Sequence, residues 1–170
     1  GEYLTMTVNA APTDYGIKFV RTDRPSDTAT IDAAWDQVEL SPLCTKLVND
    51  HGISVKTVEH LLASLAGCGI TNARITVDGP ELPILDGSAR PFALEFVRNG
   101  LIQQDGPLKA IRILTDVVYS VGNAWAKLTP SDTPWMSFHI AFDEKVIGVQ
   151  EKSLCLSNGS FVRELCDSRT

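Results

Sequence analysis

Residues 56–66 read KTVEHLLASLA, and this stretch decides the fold of the first half of the chain. Its apolar residues recur at helical spacing and a glycine follows at position 69, so the pattern predicts a helix that ends before Gly69. Glu59 and His60 lie side by side in the first turn of this helix. A carboxylate general base next to a metal-binding or acid-acting histidine is the minimum that a hydrolytic site requires.

The helix face around His60 carries small residues, whereas a solvent-exposed face normally carries Lys, Glu or Arg. With Val58 at the centre of the apolar stripe, His60 points almost directly away from that stripe. Ala63, Ser64 and Gly67 surround it. Small residues opposite the core predict that a second domain or a ligand packs closely against this face.

The Glu-His pair also has a simpler interpretation. A glutamate in the first turn of a helix interacts favourably with the helix dipole without any catalytic role, and spacing alone favours this interpretation. Known zinc-binding helices carry a second histidine, which the H-x-x-E-H pattern would place at position 56. Lys56 occupies this position. Spacing therefore leaves both interpretations open.

The composition is that of an ordinary globular protein. The 170 residues are 44% hydrophobic and 21% charged, which allows one large domain or two small ones. No apolar run is long enough to span a bilayer, and no signal peptide is visible. The net charge of −6, without a Lys/Arg cluster, argues against a nucleic-acid partner.

The cysteines are Cys44, Cys68, Cys155 and Cys166, and none of them stands in C-x-x-C spacing. We therefore expect them to be reduced thiols in the cytoplasm.

Strands and a second helix are predicted around the Glu-His helix. The first two strands are expected to form an antiparallel hairpin. The predicted strands are residues 2–10, 16–21, 42–49 and 73–77. The second helix begins after Ser88, a good N-cap, and ends at Asn99-Gly100. We expect it to bury Phe92, Phe96 and Val97.

The second half of the chain repeats the order of strands followed by a helix but stops before the repeat is complete. Asp105-Gly106-Pro107 is the best linker candidate. After it come strand-like stretches and a short helix at residues 109–119, 124–128, 135–142, 148–156 and 161–166. We therefore predict an α+β fold, a two-layer sheet/helix sandwich. Its two domains, of related topology, are residues 1–104 and 107–170, the second being incomplete.

Two longer segments carry a resemblance to a known family. They read TVEHLLASLAGCGITN at residues 57–72 and DGPELPILDGSA at residues 78–89. Shorter matches are LCT at 43–45, FD at 142–143, IG at 147–148 and DSRT at 167–170. Together they closely resemble the UDP-3-O-acyl-N-acetylglucosamine deacetylases, the zinc enzymes of the committed step of lipid A and lipopolysaccharide synthesis in Gram-negative bacteria. The resemblance spans nearly the whole chain.

The resemblance implies roles for five residues. Glu59 matches the general base that activates zinc-bound water, and His60 matches the first of three zinc ligands. Thr170 matches a threonine whose hydroxyl helps to stabilise the tetrahedral oxyanion. Leu43 and Cys44 match residues that line the pocket near the zinc ion. The implied reaction is hydrolysis of the N-acetyl amide of UDP-3-O-acyl-N-acetylglucosamine, at a site between two α+β sandwich domains.

The sequence is shorter than the family at both ends. Family members begin with a further strand and a Gly-x-Gly-Leu-His-Ser-Gly segment, and they continue well past Thr170. Their later part carries the other two zinc ligands, a His and an Asp in an H-x-x-x-D pattern, with a lysine and a second catalytic histidine. His51 and His139 match no ligand position of the family. A catalytic zinc ion needs three protein ligands, so we expect this chain alone neither to hold it nor to be active.

Two other interpretations stay open. The chain could be a non-catalytic, truncated paralogue that binds a nucleotide sugar or a protein, including a second copy of itself through exposed sheet edges. It could also be a proteolytic fragment of an ordinary deacetylase. An in-frame H-x-x-x-D helix encoded after residue 170 would favour the enzyme, and a stop codon there would favour the paralogue.

Overall fold

The computed structural model describes residues 4–157 and 159–169 of the chain. The chain divides into two units, one with the bounds Gly1–Gly106 and Val162–Thr170 and the other Pro107–Phe161. The assignment of two domains of related topology to residues 1–104 and 107–170 stays a prediction. Strands and helices occur together along the chain, which confirms the predicted α+β class. Within the described residues, no helix is long and apolar enough to cross a membrane.

The first unit alternates strands with helices, and both predicted helices are confirmed within it. In chain order its elements are β1 (Met6–Ala10), β2 (Ile17–Arg21), β3 (Thr30–Asp32), a 3-10 helix (Trp35–Gln37), β4 (Val38–Glu39), β5 (Lys46–Val48), β6 (Ser54–Lys56), α1 (Glu59–Gly67), β7 (Ala73–Val77) and α2 (Arg90–Asn99). The glycine predicted to follow the first helix, Gly69, has a positive φ of 74° and lies just past α1.

The predicted hairpin of β1 and β2 is wrong, because β7 lies between them. The strand order is β1-β7-β2-β3, with β7 antiparallel to β1 and parallel to β2. Ile75 at the middle of β7 is paired with Val8 on one side and Phe19 on the other. Ala73, Ile75 and Val77 are each buried to 1% exposure or less. A central position in the sheet covers this apolar strand better than an edge position would.

A second, smaller sheet leads the chain into α1. Its order is β4-β5-β6, and both pairs are antiparallel. The strand predicted over residues 42–49 is confirmed only over β5, since residues 42–44 form turns and a bend. β6 ends at Lys56, so only Thr57 and Val58 separate it from α1.

The core lies where α1 and α2 meet these sheets. Its buried cluster comprises Phe19, Ile31, Leu47, Val55, Val58, Leu61, Leu65, Ala73, Ile75, Val77, Leu82 and Phe92. In α2, Phe92 and Ala93 are buried and Phe96 packs partly against the cluster. The predicted burial of Val97 is wrong, since its side chain is 58% exposed. Val97 lies about 140° around the helix from Phe92, which turns it away from the core.

The second unit contains two hairpins and the start of a short helix. Its strands are β8 (Val117–Val121), β9 (Ala124–Leu128), β10 (Trp135–Ala141) and β11 (Val149–Cys155), and α3 (Ser160–Glu164) follows. β8 pairs with β9, and β10 pairs with β11. The two-residue turn at Gly122-Asn123, with a φ of 56° at Gly122, joins β8 to β9. The strand predicted over residues 109–119 is therefore wrong for its first eight residues, because β8 begins only at Val117.

A buried arginine joins the main sheet to β6. The Arg21 side chain is 3% exposed, and its Nε and Nη2 donate to the two carboxylate oxygens of Asp23 at 2.8 and 2.7 Å. Its Nη1 donates to the Ser54 carbonyl at 2.6 Å. The hydrogen bond from Arg21 holds the pKa of Asp23 below its ordinary value. A guanidinium group is tolerated in the interior only when its charge and its N–H groups are paired in this way.

Removal of the Asp23 carboxylate should destabilise the first unit, because Arg21 would stay buried without its counter-charge. We expect Asp23→Ala to lower the free energy of unfolding by about 2–3 kcal/mol, less than for a fully buried pair because the Asp23 side chain is 33% exposed. Urea titration measures this change. Asp32→Ala, which removes the exposed partner of Lys18, is the control and should cost less than about 1 kcal/mol. Equal losses in the two variants would contradict the prediction.

Candidate functional site

The first turn of α1 is anchored to the loop before β5. Val58, the residue before the helix, is fully buried. Its N–H lies 3.5 Å from the Thr45 carbonyl, and its own carbonyl accepts from the Leu62 N–H at 2.9 Å. Thr57 precedes it with a φ of 58°, in the left-handed region that β-branched residues rarely adopt. This conformation turns the chain from β6 into the helix and sends the Val58 side chain into the core.

The Glu59 carboxylate is held by the same loop. Glu59 Oε2 accepts a hydrogen bond from the Thr45 N–H at 2.9 Å, and the side chain is half-buried. A charged acceptor with a backbone donor makes one of the stronger hydrogen bonds in proteins. One carboxylate oxygen therefore has a defined position at the start of α1.

His60 follows Glu59 and is also half-buried, with its ring Nδ1 shielded from solvent. Its carbonyl lies 2.8 Å from the hydroxyl of Ser64, which is also 2.7 Å from the Ala89 carbonyl at the start of α2. Ser64 is fully buried. A second domain or a ligand was expected against this small residue, but the structure packs it against the start of α2 in the same unit. Ala63, by contrast, is exposed.

The predicted pocket residues Leu43 and Cys44 lie in the turn that leads to Thr45. Leu43 has a φ of 63° and a fully exposed side chain. Cys44 is half-buried, with its Sγ 3.4 Å from the Ser41 Oγ. Because the next residue donates to Glu59, the structure brings this turn to the Glu59-His60 pair. Thr170 lies outside the described residues.

The described residues do not fit a complete zinc centre. Residues 4–157 and 159–169 contain no group of three or more His, Cys, Asp or Glu side chains arranged to hold a metal ion. A catalytic zinc ion requires three protein ligands. His139 pairs instead with Glu151, with its Nδ1 2.6 Å from Oε1 on the exposed face of β10 and β11. His60 is thus the one candidate ligand that can be named in this part of the protein.

Three residues of this site were not predicted. Thr45 supplies the N–H that holds Glu59, Thr57 supplies the turn, and Glu81 accepts the Thr57 hydroxyl hydrogen bond at 2.7 Å. All three lie in the segments that carry the family resemblance. No local sequence pattern marks them, since a backbone N–H and a left-handed φ leave no signature in residue type.

A separate groove of about 680 Å³ lies along α2 in the first unit. Apolar side chains from β1 and α2 line it, including Met6 and Phe92, and Arg90 and Arg98 stand among its charged residues. Arg90 is already paired with Asp167 at 3.0 Å, and Arg98 with Glu95 at 2.8 Å. Glu59 and His60 do not line this groove, so it is distinct from the candidate site.

Comparison with known proteins extends over the whole chain. Residues 1–170 match the family described as "LpxC: UDP-3-O-acyl N-acetylglycosamine deacetylase". A protein from Shewanella halifaxensis (strain HAW-EB4), named UDP-3-O-acyl-N-acetylglucosamine deacetylase, is 40% identical over 172 residues, which cover 100% of this chain and 56% of that protein. A protein of the same name from Shewanella woodyi (strain ATCC 51908 / MS32) is 39% identical with the same coverage. The chain thus spans little more than half the length of these curated relatives.

The close contact of α1 with α2 should not tolerate a larger residue at position 64. We expect Ser64→Leu to lower the free energy of unfolding by about 3 kcal/mol, because it overpacks a fully buried position and removes the hydroxyl from the Ala89 carbonyl. Ala63→Leu introduces the same side chain at the exposed neighbouring position and should change stability by about 0.5 kcal/mol or less. Thermal unfolding followed by circular dichroism measures both. A stable Ser64→Leu protein would disprove the close packing.

Proposed function

Because the chain belongs to the UDP-3-O-acyl N-acetylglycosamine deacetylase family, we propose that it forms part of the site that removes the N-acetyl group from UDP-3-O-acyl-N-acetylglucosamine in lipid A biosynthesis. The observation that carries the proposal is the Glu59 carboxylate, held at 2.9 Å by the Thr45 N–H on the helix turn that also carries His60. A positioned carboxylate beside an imidazole suits hydrolysis by an activated water molecule.

Glu59 is the proposed general base. Its Oε2 is occupied by the Thr45 N–H, and its other oxygen takes a proton from the attacking water. The water oxygen forms a bond to the acetyl carbonyl carbon, and the bond from that carbon to the sugar nitrogen then breaks. The proton held by Glu59 passes to the departing nitrogen, which leaves a free amine and acetate. A base of this kind contributes about 10²- to 10⁴-fold to the rate.

We propose His60 as one ligand of the zinc ion on which the family depends. Since the described residues do not complete the ligand set, the remaining ligands are proposed to come from the part of family members that this chain does not span. It follows that the 170-residue chain by itself should neither retain zinc nor deacetylate the substrate.

The other site roles are proposed from the family match. Leu43 and Cys44 would line the pocket near the reacting amide, which is supported by their place in the turn before Thr45. Thr170 would donate its hydroxyl to the oxyanion of the tetrahedral intermediate. We also propose a cytoplasmic location, because all four cysteines are free thiols.

Loss of the Glu59 carboxylate should slow the chemical step and leave metal binding intact. In a protein that carries this segment and spans the full length of its relatives, we expect Glu59→Gln to lower kcat by about 10²- to 10⁴-fold, because the amide cannot take the proton of the water. Zinc content, measured by atomic absorption, should stay near wild type. Glu95→Gln, on the exposed face of α2, is the matched control and should keep the wild-type kcat.

His60→Gln should show the opposite pattern in that protein, with zinc lost and activity lost with it. The wild-type 170-residue chain, assayed alongside, should show neither bound zinc nor deacetylase activity. Glu59→Gln with wild-type kcat would exclude the role of Glu59 as base. If the 170-residue chain bound stoichiometric zinc and turned over substrate, the proposal that the remaining zinc ligands lie outside this chain would be excluded.

A second candidate function is non-catalytic binding of a second copy of the chain. The observation that favours it is the exposure of large apolar side chains on the hairpins of the second unit. They include Val118, Tyr119, Val121, Trp125 and Trp135, which are 60–72% exposed. Each hairpin strand pairs with a single partner within the described residues, which leaves strand edges open. Open edges with apolar side chains favour association.

Self-association of this kind should depend on the exposed apolar surface. We expect the 170-residue chain to sediment as a dimer at micromolar concentration and Trp125→Lys to shift it towards monomer, because a charge would be placed in the contact. Leu101→Lys introduces the same charge at an exposed site of the first unit and should leave the dimer unchanged. A wild-type chain that sediments as a monomer would rule out this candidate.

A further inference from the structure

Two residues with a left-handed backbone lie close to the hydrogen bond that holds Glu59. Within the described residues, non-glycine residues with positive φ are Asp14, Leu43, Thr57 and Leu85. Leu43 lies two residues before Thr45, the donor of this hydrogen bond, and Thr57 lies two residues before Glu59, the acceptor. A β-branched residue in the left-handed region is unusual and persists only where its surroundings hold it there.

The segment 80–82 holds Thr57 in this conformation. The Lys56 N–H donates to the Pro80 carbonyl at 2.9 Å, and the Leu82 N–H donates to the Lys56 carbonyl at 3.0 Å. Between these two bonds, the Thr57 Oγ1 donates to the Glu81 Oε1 at 2.7 Å. The backbone is thus secured just before the left-handed residue, and the side chain of that residue is secured as well.

The two partners of this side-chain bond differ in their need for it. Thr57 is 6% exposed, and a buried hydroxyl without an acceptor is costly. Glu81 is exposed, so water alone would satisfy its carboxylate. Loss of this hydrogen bond would therefore be costly for the buried Thr57 hydroxyl, whereas it would cost the exposed Glu81 carboxylate little.

We propose that Glu81, acting through Thr57, is a positioning residue for the Glu59 carboxylate. The Glu81 carboxylate fixes the Thr57 hydroxyl, the left-handed turn at Thr57 directs Val58 into the core, and the first turn of α1 then presents Glu59 to the Thr45 N–H. The consequence for catalysis rests on the proposed function of Glu59 as general base. The positioning itself does not.

Hydrogen exchange at the Thr45 amide tests the proposal in the 170-residue chain. Thr57→Val keeps the β-branched shape but removes the hydroxyl, and Glu81→Ala removes the acceptor. In each variant we expect the Thr45 amide to exchange roughly tenfold faster or more, because the bond to a charged acceptor is lost or loosened. The conservative variants Thr57→Ser and Glu81→Gln keep a donor and an acceptor and should restore slow exchange.

The Ile75 amide in the central strand serves as the reference for global unfolding, and Glu95→Ala serves as a control for loss of an exposed glutamate. Faster exchange confined to Thr45 supports the proposal. Equal acceleration at Thr45 and Ile75 would show a merely structural role and overturn it, as would unchanged Thr45 exchange. If Thr57→Val does not fold, the proposal is tested by comparing Glu81→Ala with Glu81→Gln. Both of these variants should fold because Glu81 is exposed. This experiment measures amide exchange and no deacetylation, so its result can be interpreted even if the proposed function is wrong.

Discussion

The position of α1 depends on the burial of Val58. This side chain is fully enclosed by the core, and exposing a residue of its size to water would cost about 1.5–3 kcal/mol. With Val58 in place, its N–H faces the Thr45 carbonyl and the following carboxylate returns to the Thr45 N–H. The buried Val58 side chain thus fixes both the packing of α1 on the core and the position of the Glu59 carboxylate. A change that moves Val58 also moves Glu59.

Buried polar groups then link the elements around that anchor. Arg21 joins the main sheet to β6 through Asp23 and the Ser54 carbonyl, and Ser64 joins α1 to the start of α2. Each of these groups has partners that satisfy it, which is the condition for burying it at all. Burial also raises the pKa of the thiols of Cys68 and Cys166, which favours their protonated form. The helix that carries Glu59 is therefore held by polar contacts as well as by the apolar core.

Local sequence patterns predicted the helices and strands well, but they predicted strand pairing and side-chain burial poorly. The helical spacing from Val58 to Ala66 corresponds to α1, and the alternation from residue 73 to 77 corresponds to β7. The hairpin of β1 and β2 was wrong because β7, more than fifty residues later in the chain, pairs with both strands and lies between them. The burial of Val97 was wrong because its side chain lies about 140° around α2 from Phe92, away from the core.

By itself, the sequence determined the helix that carries Glu59 and His60, the α+β class and the family, since these follow from periodicity and from residue identity. The tertiary structure alone decided which groups hold the pair in place. Thr45 acts through a backbone N–H, Thr57 through a left-handed φ, and Glu81 through a contact across 24 residues of chain. None of these depends on a local pattern of side chains. Each arises only when segments distant in sequence meet, and that meeting is governed by the shared core.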